Sequence, residues 1–342
     1  MMKIAVDAMG GDHAPAEIVA GAVAAAAQVN GEIILVGREP DVRAELARHL
    51  RVPSSLTVHH AEQVVEMDES PRLALRQKAG SSVTVCVDLV RDGLADAAIS
   101  AGNSGALMAA ATMRLGTLPG VQRPAIAVFL PTPLGKRIVL DAGANVDCKP
   151  EHLADFALMG SEYAEHALGI SRPRIGVLSI GTEASKGNEL SLAAHGLLAK
   201  MPINFIGNVE GDQILAGEVD VTVCDGFVGN VVLKVVEGTA QGLFGDVKSS
   251  LKGRALSRLG ALLLRPALRA VAAKYDYAEY GGALLLGTNG VCIVAHGRSD
   301  RRAMARAIVA GAQGVEAKVQ EHMAEAFQRW NAAPTSAPSL SS

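Results

Sequence analysis

Residues 100–105 (Ser-Ala-Gly-Asn-Ser-Gly) and 225–230 (Asp-Gly-Phe-Val-Gly-Asn) follow one plan. Each closes a short apolar run and opens a stretch with helical patterning. A chain that leaves a strand at glycine and restarts as a helix presents unpaired backbone N–H groups, and the helix dipole adds positive potential there. Two such turns point to a ligand bearing a phosphate or a carboxylate. In the first, Gly102 and Gly105 admit close approach, while Asn103 and Ser104 offer side-chain donors. The same residues also make an ordinary capped helix start. In the second, Asp225 and Asn230 bracket Gly226 and Gly229.

Further loops carry chemistry-bearing residues. Asp7 precedes Gly10, Gly11, Asp12 and His13; the glycines allow backbone to approach a ligand, and Asp12 and His13 suit the positioning of water or a hydroxyl. An Asp12 helix cap is the plainer alternative. Residues 181–188 (Gly-Thr-Glu-Ala-Ser-Lys-Gly-Asn) place Lys186 and Asn188 after a strand. The spacing is not that of a Walker A loop, yet Lys186 can neutralise a phosphate as a point charge or stand exposed in a turn. Arg72, Arg76 and Lys78 suit an anionic substrate or a solvated face. His296 ends an apolar run, as a site residue or one satisfied by backbone. No Ser-His-Asp order, His-Glu-x-x-His or Gly-x-Ser-x-Gly occurs, so a covalent nucleophile is not indicated. Gly-x-Gly-x-x-Gly is absent after any strand, which weakens a nicotinamide reading. Neither a cofactor nor a metal is expected.

The elements that must hold these loops alternate in type. Strands are expected at Lys3–Asp7, Glu32–Gly37, Leu56–His60, Asp96–Ser100, Ala125–Leu130, Lys136–Asp141, Arg174–Ile180, Ile203–Gly207, Val219–Cys224 and Val291–His296. Helices are expected at Ala16–Gln28, Asp41–Arg51, Ser82–Arg91, Ser104–Leu115, Pro150–Leu168, Glu189–Lys200, Gly229–Ser249 and, as one long element, Arg301–Arg329. Nearly all-apolar strands suit a sheet covered on both faces, so the fold class is α/β with a doubly wound, mostly parallel sheet. Pro131–Gly135 is too short for a crossover helix and calls for a β-hairpin. Gly-rich stretches fall at the carboxyl ends of strands, where ligands sit in such sheets. Residues 1–330 form one α/β unit, with two lobes around a central cleft as the alternative. Residues 331–342 are Pro/Ser-rich and read as a disordered tail.

Composition narrows the class. The chain is 49% hydrophobic but 3% aromatic, so its core is aliphatic and base-stacking side chains are scarce. A formal net charge of −3 argues against general nucleic-acid binding. The four cysteines are scattered, reading as reduced residues mostly at the ends of buried elements. With no signal-peptide pattern and no bilayer-length apolar run, a cytoplasmic location is the default. Residues 247–275 reverse the charge: basic residues recur without an acid, and leucines recur at mostly helical spacing. An amphipathic helical hairpin over 247–276 is expected, with Pro266 ending or bending a helix. Arg254, Arg258, Arg265 and Arg269 with Leu259, Leu262 and Leu263 fit an anionic membrane surface or an acidic protein; packing in a dimer interface is the alternative.

Together these motifs resemble the PlsX family of bacterial phosphate acyltransferases. The matching stretches are DAMGGDHAP (7–15), EMDESP (66–71), SAGNSGA (100–106), RPA (123–125), DAGAN (141–145), GTEASKGN (181–188), NVEGDQI (208–214), DGFVGN (225–230) and YGGALLLGTNGVCIVAHG (280–297). Ser104 stands where threonine is more usual in that family. The resemblance implies acyl transfer from acyl carrier protein to inorganic phosphate, giving acyl phosphate for phospholipid synthesis. It implies a homodimer of the isocitrate/isopropylmalate dehydrogenase-like type, related to phosphotransacetylases. Peripheral membrane association beside the glycerol-3-phosphate acyltransferase that consumes the product is also implied. On that footing Asn103, Ser104 and nearby N–H groups hold phosphate and Lys186 offsets its charge. Asn188 or Asn230 stabilises the thioester oxyanion, and His13 or His296 handles protons. Gly10, Gly11, Asp12, Lys78, Gly102, Gly105 and Asp225 complete the expected binding set. A coenzyme A-dependent phosphate acetyl- or butyryltransferase is the nearest rival, and a noncatalytic phosphate-ligand sensor is a rival of another class.

Overall fold

Short β-branched and leucine-rich runs form an eleven-stranded sheet in the computed structural model, which describes residues 1–252, 263–268, 271, 273–275 and 281–332. The strands are β1 (Met2–Asp7), β2 (Gly31–Gly37), β3 (Leu56–His60), β4 (Ala97–Ser100), β5 (Ala125–Thr132), β6 (Gly135–Leu140), β7 (Ile175–Leu178), β8 (Phe205–Val209), β9 (Val221–Val223), β10 (Ala283–Leu286) and β11 (Val291–Val294). Their spatial order is β3-β2-β1-β4-β11-β10-β5-β6-β9-β7-β8.

Parallel pairing dominates, but it falls into two groups. β3, β2, β1, β4 and β11 run one way, and β6, β9, β7 and β8 run the other. Antiparallel β10 and the β5–β6 hairpin join them. One registered row crosses the sheet through Val58, Leu35, Val6, Ile99, Ile293, Leu284, Ala127, Leu140, Val223, Val177 and Asn208. Strands of both groups end on this row or just past it. Their carboxyl ends therefore approach the middle of the sheet from opposite directions, rather than sharing one edge as a uniformly parallel sheet would have it.

Helices cover both faces. They are α1 (Ala16–Ala25), α2 (Glu39–Leu46), α3 (Pro71–Gln77), α4 (Ser82–Arg91), α5 (Ser104–Ala110), α6 (Pro150–His166), α7 (Glu189–Leu198), α8 (Gly211–Ala216), α9 (Gly226–Lys252), α10 (Arg301–Glu316) and α11 (Val319–Ala332). Strand alternation sends Ile4 and Val6 into one apolar layer with Ile18, Phe156, Ile308 and Phe327, while Ala5 faces the other with Val87, Leu107 and Ile214.

Several expectations need correction. β10 was not foreseen, although Gly282 and Gly287 frame its Ala-Leu-Leu-Leu run. Short α3 and α8 were also unforeseen. The long C-terminal helix is two helices: Lys318 takes a left-handed φ of 49°, and α11 turns back to bury Met323 and Phe327. Cys86 and Cys292 lie inside α4 and β11 rather than at element ends; both are buried, as is Cys224. Within 247–276, helix α9 reaches Lys252, and residues 263–268 are helical with Pro266 in their interior. Leu263 and Arg265 are exposed there; Arg254, Arg258, Leu259, Leu262 and Arg269 lie outside the described residues. Asn331 and Ala332 belong to α11, and the rest of the expected tail lies outside the described residues.

Candidate active site

Each group of strands carries one buried aspartate that clamps a glycine turn. Asp7, at the end of β1, accepts a 2.6 Å hydrogen bond from Ser100 Oγ at the end of β4. Ser100 Oγ in turn accepts the Gly102 N–H at 3.0 Å. Asp141, just past β6, accepts the N–H groups of Ile126, Gly143, Ala144 and Asn145 and the Asn145 side-chain amide. Burial pushes both carboxyls above the ordinary aspartate range, while these donors pull the other way.

The glycines serve this clamping. A Cβ on Gly10 would collide with Asp7 Oδ2 and stand 2.7 Å from Gly102 N. Gly11, at φ 107°, lies against the Gly297 and Ala101 carbonyls. On the other side, a Cβ on Gly229 would strike the Asp141 carbonyl, and one on Gly226 would lie 2.7 Å from Asn145 O. Loop packs on loop at these positions, and Gly10, Gly11 and Gly102 permit that close intramolecular approach.

The clamped turns aim two helix starts at one cavity of about 400 Å³. Ser104 and Gly105 of α5, Gly143 of the Asp141 loop, Asn230 of α9 and His296 after β11 all line it. The N–H groups of Ser104 and Gly105 precede the first intrahelical bond of α5, which falls to Ala106 and Leu107. His296 Nδ1 accepts the Arg298 N–H at 3.1 Å, which puts the proton of a neutral ring on Nε2. Burial, then Lys234 and Arg298, lower its pKa and favour that neutral form. His296 is thereby set as a donor more than as a base.

The other expected residues are distributed differently. Asn103 Nδ2 donates to the carbonyls of Glu66, Met67 and Glu69, and Oδ1 caps α5 at Ala106 N. Lys78 pairs with Glu69 and donates to Val64 O, so it braces the same 64–69 loop and lines neither cavity described here. Asp12 and His13 are exposed; the Asp12 N–H bonds Gly297 O, and α1 begins after Pro15 with no side-chain cap. Asn188 and Asp225 line a second cavity of about 320 Å³, together with Val228 of α9. Asn188 Oδ1 caps α7 through Ser191 N at 2.8 Å. Lys186, exposed, stands two residues away. The expected cluster is therefore two cavities on either side of the first turn of α9.

Lys234, Glu237 and Ser299 line the first cavity and were not singled out from sequence; Gly143 lines it from within the 141–145 motif. Lys234 and Glu237 pair at 2.8 Å along α9. Their spacing from Asn230, four and seven residues on, is the helical-face signal that would have found them. Among the described residues, no group of three or more His, Cys, Asp or Glu side chains is placed to hold a metal.

A family model described as "Fatty acid synthesis protein" matches residues 2–322. A phosphate acyltransferase of Desulfitobacterium hafniense is 51% identical over 97% of this chain and 99% of its own. Among solved structures, a phosphotransacetylase from Streptococcus pyogenes superposes with a TM-score of 0.63 at 19% identity, covering 92% of this chain and 94% of its own. A 4-hydroxythreonine-4-phosphate dehydrogenase from Klebsiella pneumoniae gives 0.53 at 15% identity, covering 95% and 100%. These two share the mixed α/β fold. With a family match across almost its whole length and half its residues identical to a named member, the chain belongs to the fatty acid synthesis protein family, the PlsX phosphate acyltransferases.

Proposed function

We propose that this protein transfers the acyl group of an acyl carrier protein thioester to inorganic phosphate, in fatty acid and phospholipid synthesis. The observation that carries the reading is the 51% identity, over 97% of the chain, to a protein named phosphate acyltransferase. A phosphate oxygen attacks the thioester carbonyl carbon. The C–S bond breaks, and the carrier thiolate leaves and takes up a proton. Phosphate is already a nucleophile and the thiolate a tolerable leaving group, so placement and charge compensation are the main needs.

In this reading the Ser104 and Gly105 N–H groups receive phosphate, and Asn230 and the Nε2–H of His296 face the developing oxyanion. Lys186, with Asn188 and Asp225 beside the neighbouring cavity, supplies charge from across the α9 turn. The protein works as a homodimer, cytoplasmic and peripherally membrane-associated, beside the acyl-phosphate-using glycerol-3-phosphate acyltransferase. Arg265 and Leu263, both exposed, belong to the basic segment that meets anionic lipid or the acidic carrier protein.

The test is thiol release from acyl carrier protein thioester with and without phosphate. Phosphate-dependent release is expected; binding without release would overturn the reading. Asn230→Ala should lower kcat about 10²-fold, the usual loss for one oxyanion donor. Lys186→Ala should depress turnover with its thermal midpoint unchanged, because the side chain is exposed and makes no hydrogen bond or ion pair among the described residues. Unchanged kinetics in the folded variant would remove Lys186 from the site.

A further inference from the structure

We infer that the apolar half of the 400 Å³ cavity is the pocket for the acyl chain, with Ala283 and Met108 setting the length it accepts. The inference rests on the proposed acyl transfer and adds to it where the chain lies and what limits it.

The cavity changes character along its length for a reason visible in each element. On α5, Ser104 and Met108 are one helical turn apart on one face, so the wall passes from polar to apolar. On α9, Leu233 lines the cavity between Asn230 and the Lys234–Glu237 ion pair, so the apolar wall comes mainly from α5 and the sheet. The sheet supplies the floor. Ile126 and Val128 are alternate residues of β5 and share a face, and Ala283 and Val294 are registered partners on β10 and β11. The groups suited to phosphate and oxyanion thus sit at the start of two helices, and an apolar slot continues from them between helices and sheet. A water occupies about 30 Å³, so the whole cavity holds on the order of a dozen groups of that size and its apolar half about six, a methylene being similar. An acetyl group would leave most of it empty.

Ala283 is the small residue in this floor. Leucine there projects from β10 toward α5 and α9 and shortens the slot. Met108 is a flexible wall residue, and alanine in its place lengthens the slot.

The experiment measures binding of butyl, octyl and dodecyl phosphate by calorimetry, alongside turnover of the matching acyl carrier protein thioesters. For the native protein, affinity should rise about fourfold per methylene until the slot is full. Ala283→Leu should weaken dodecyl relative to butyl phosphate about tenfold, and Met108→Ala should move the optimum to a longer chain. The two variants must shift in opposite directions, which separates a filled slot from general damage; thermal melts confirm folding. Affinity independent of chain length, or equal loss for all chains in both variants, overturns the inference. Chain-dependent binding without phosphate-dependent thiol release would leave the slot standing and sink the proposed reaction instead.

Discussion

At the scale of single residues, the buried carboxylates decide most. Asp141 gathers five N–H donors, and removing it leaves several buried amides without an acceptor. Asp141→Ala should therefore cost about 3–5 kcal/mol in urea unfolding. Asp155 of α6 behaves differently. Burial raises its pKa from 3.8 to about 6, and its one backbone partner is the Gln122 N–H at 3.0 Å. The folded state binds this proton more tightly than the unfolded chain. The resulting stabilisation is full below about pH 4 and lost as pH rises through about 6. Asp155→Asn keeps an acceptor for Gln122 and removes the charge. It should flatten the stability profile between those pH values and gain about 2 kcal/mol at pH 7 by denaturant titration.

At the scale of elements, one device recurs. A strand ending in aspartate lies beside a strand ending in a glycine turn, and the carboxylate or its loop seats the following helix. β1 with β4 seats α5, and β6 with β9 seats α9. Gly229→Ala tests the second seat, because its Cβ would strike the Asp141 carbonyl and crowd Cys224 Sγ at 3.1 Å. The first turn of α9 must shift away, costing about 1–3 kcal/mol and carrying Asn230 with it. A fall in kcat larger than the fall in stability at assay temperature would show that the seat aims the site. The hinge between α10 and α11 is a second element-scale feature. Lys318→Gly should stabilise by up to about 1 kcal/mol, since glycine adopts positive φ without penalty.

At the scale of the molecule, α9 presents an exposed apolar face. Phe227, Val231 and Val235, at successive turns, and Leu243 further on are 47–62% exposed. A stripe of this kind on a helix bordering the cavity fits the proposed homodimer. Analytical ultracentrifugation should find a dimer, and Val235→Glu should shift it toward monomer. A native protein monomeric at micromolar concentration would remove the dimer from the proposal.

Local patterns in the chain determined most element types, though not β10, α3, α8 or the break between α10 and α11, together with the hairpin, the aliphatic double-faced core and the two glycine-to-helix turns, because each of these is encoded within a few neighbouring residues. The family resemblance was legible for the same reason, its motifs being short and ordered. Tertiary structure alone decided which donors remain for a ligand. The Asn103 amide donates to the 66–69 loop, more than thirty residues away. Gly10 and Gly102, more than ninety residues apart in the chain, pack directly against each other. Asp7 meets Ser100 across 93 residues of chain, and the first turn of α9 stands between the cavities that Asn188 and Asn230 line. Such partnerships depend on how distant segments are brought together, and a hydrogen-bonding group satisfied by one of them is no longer available to a substrate.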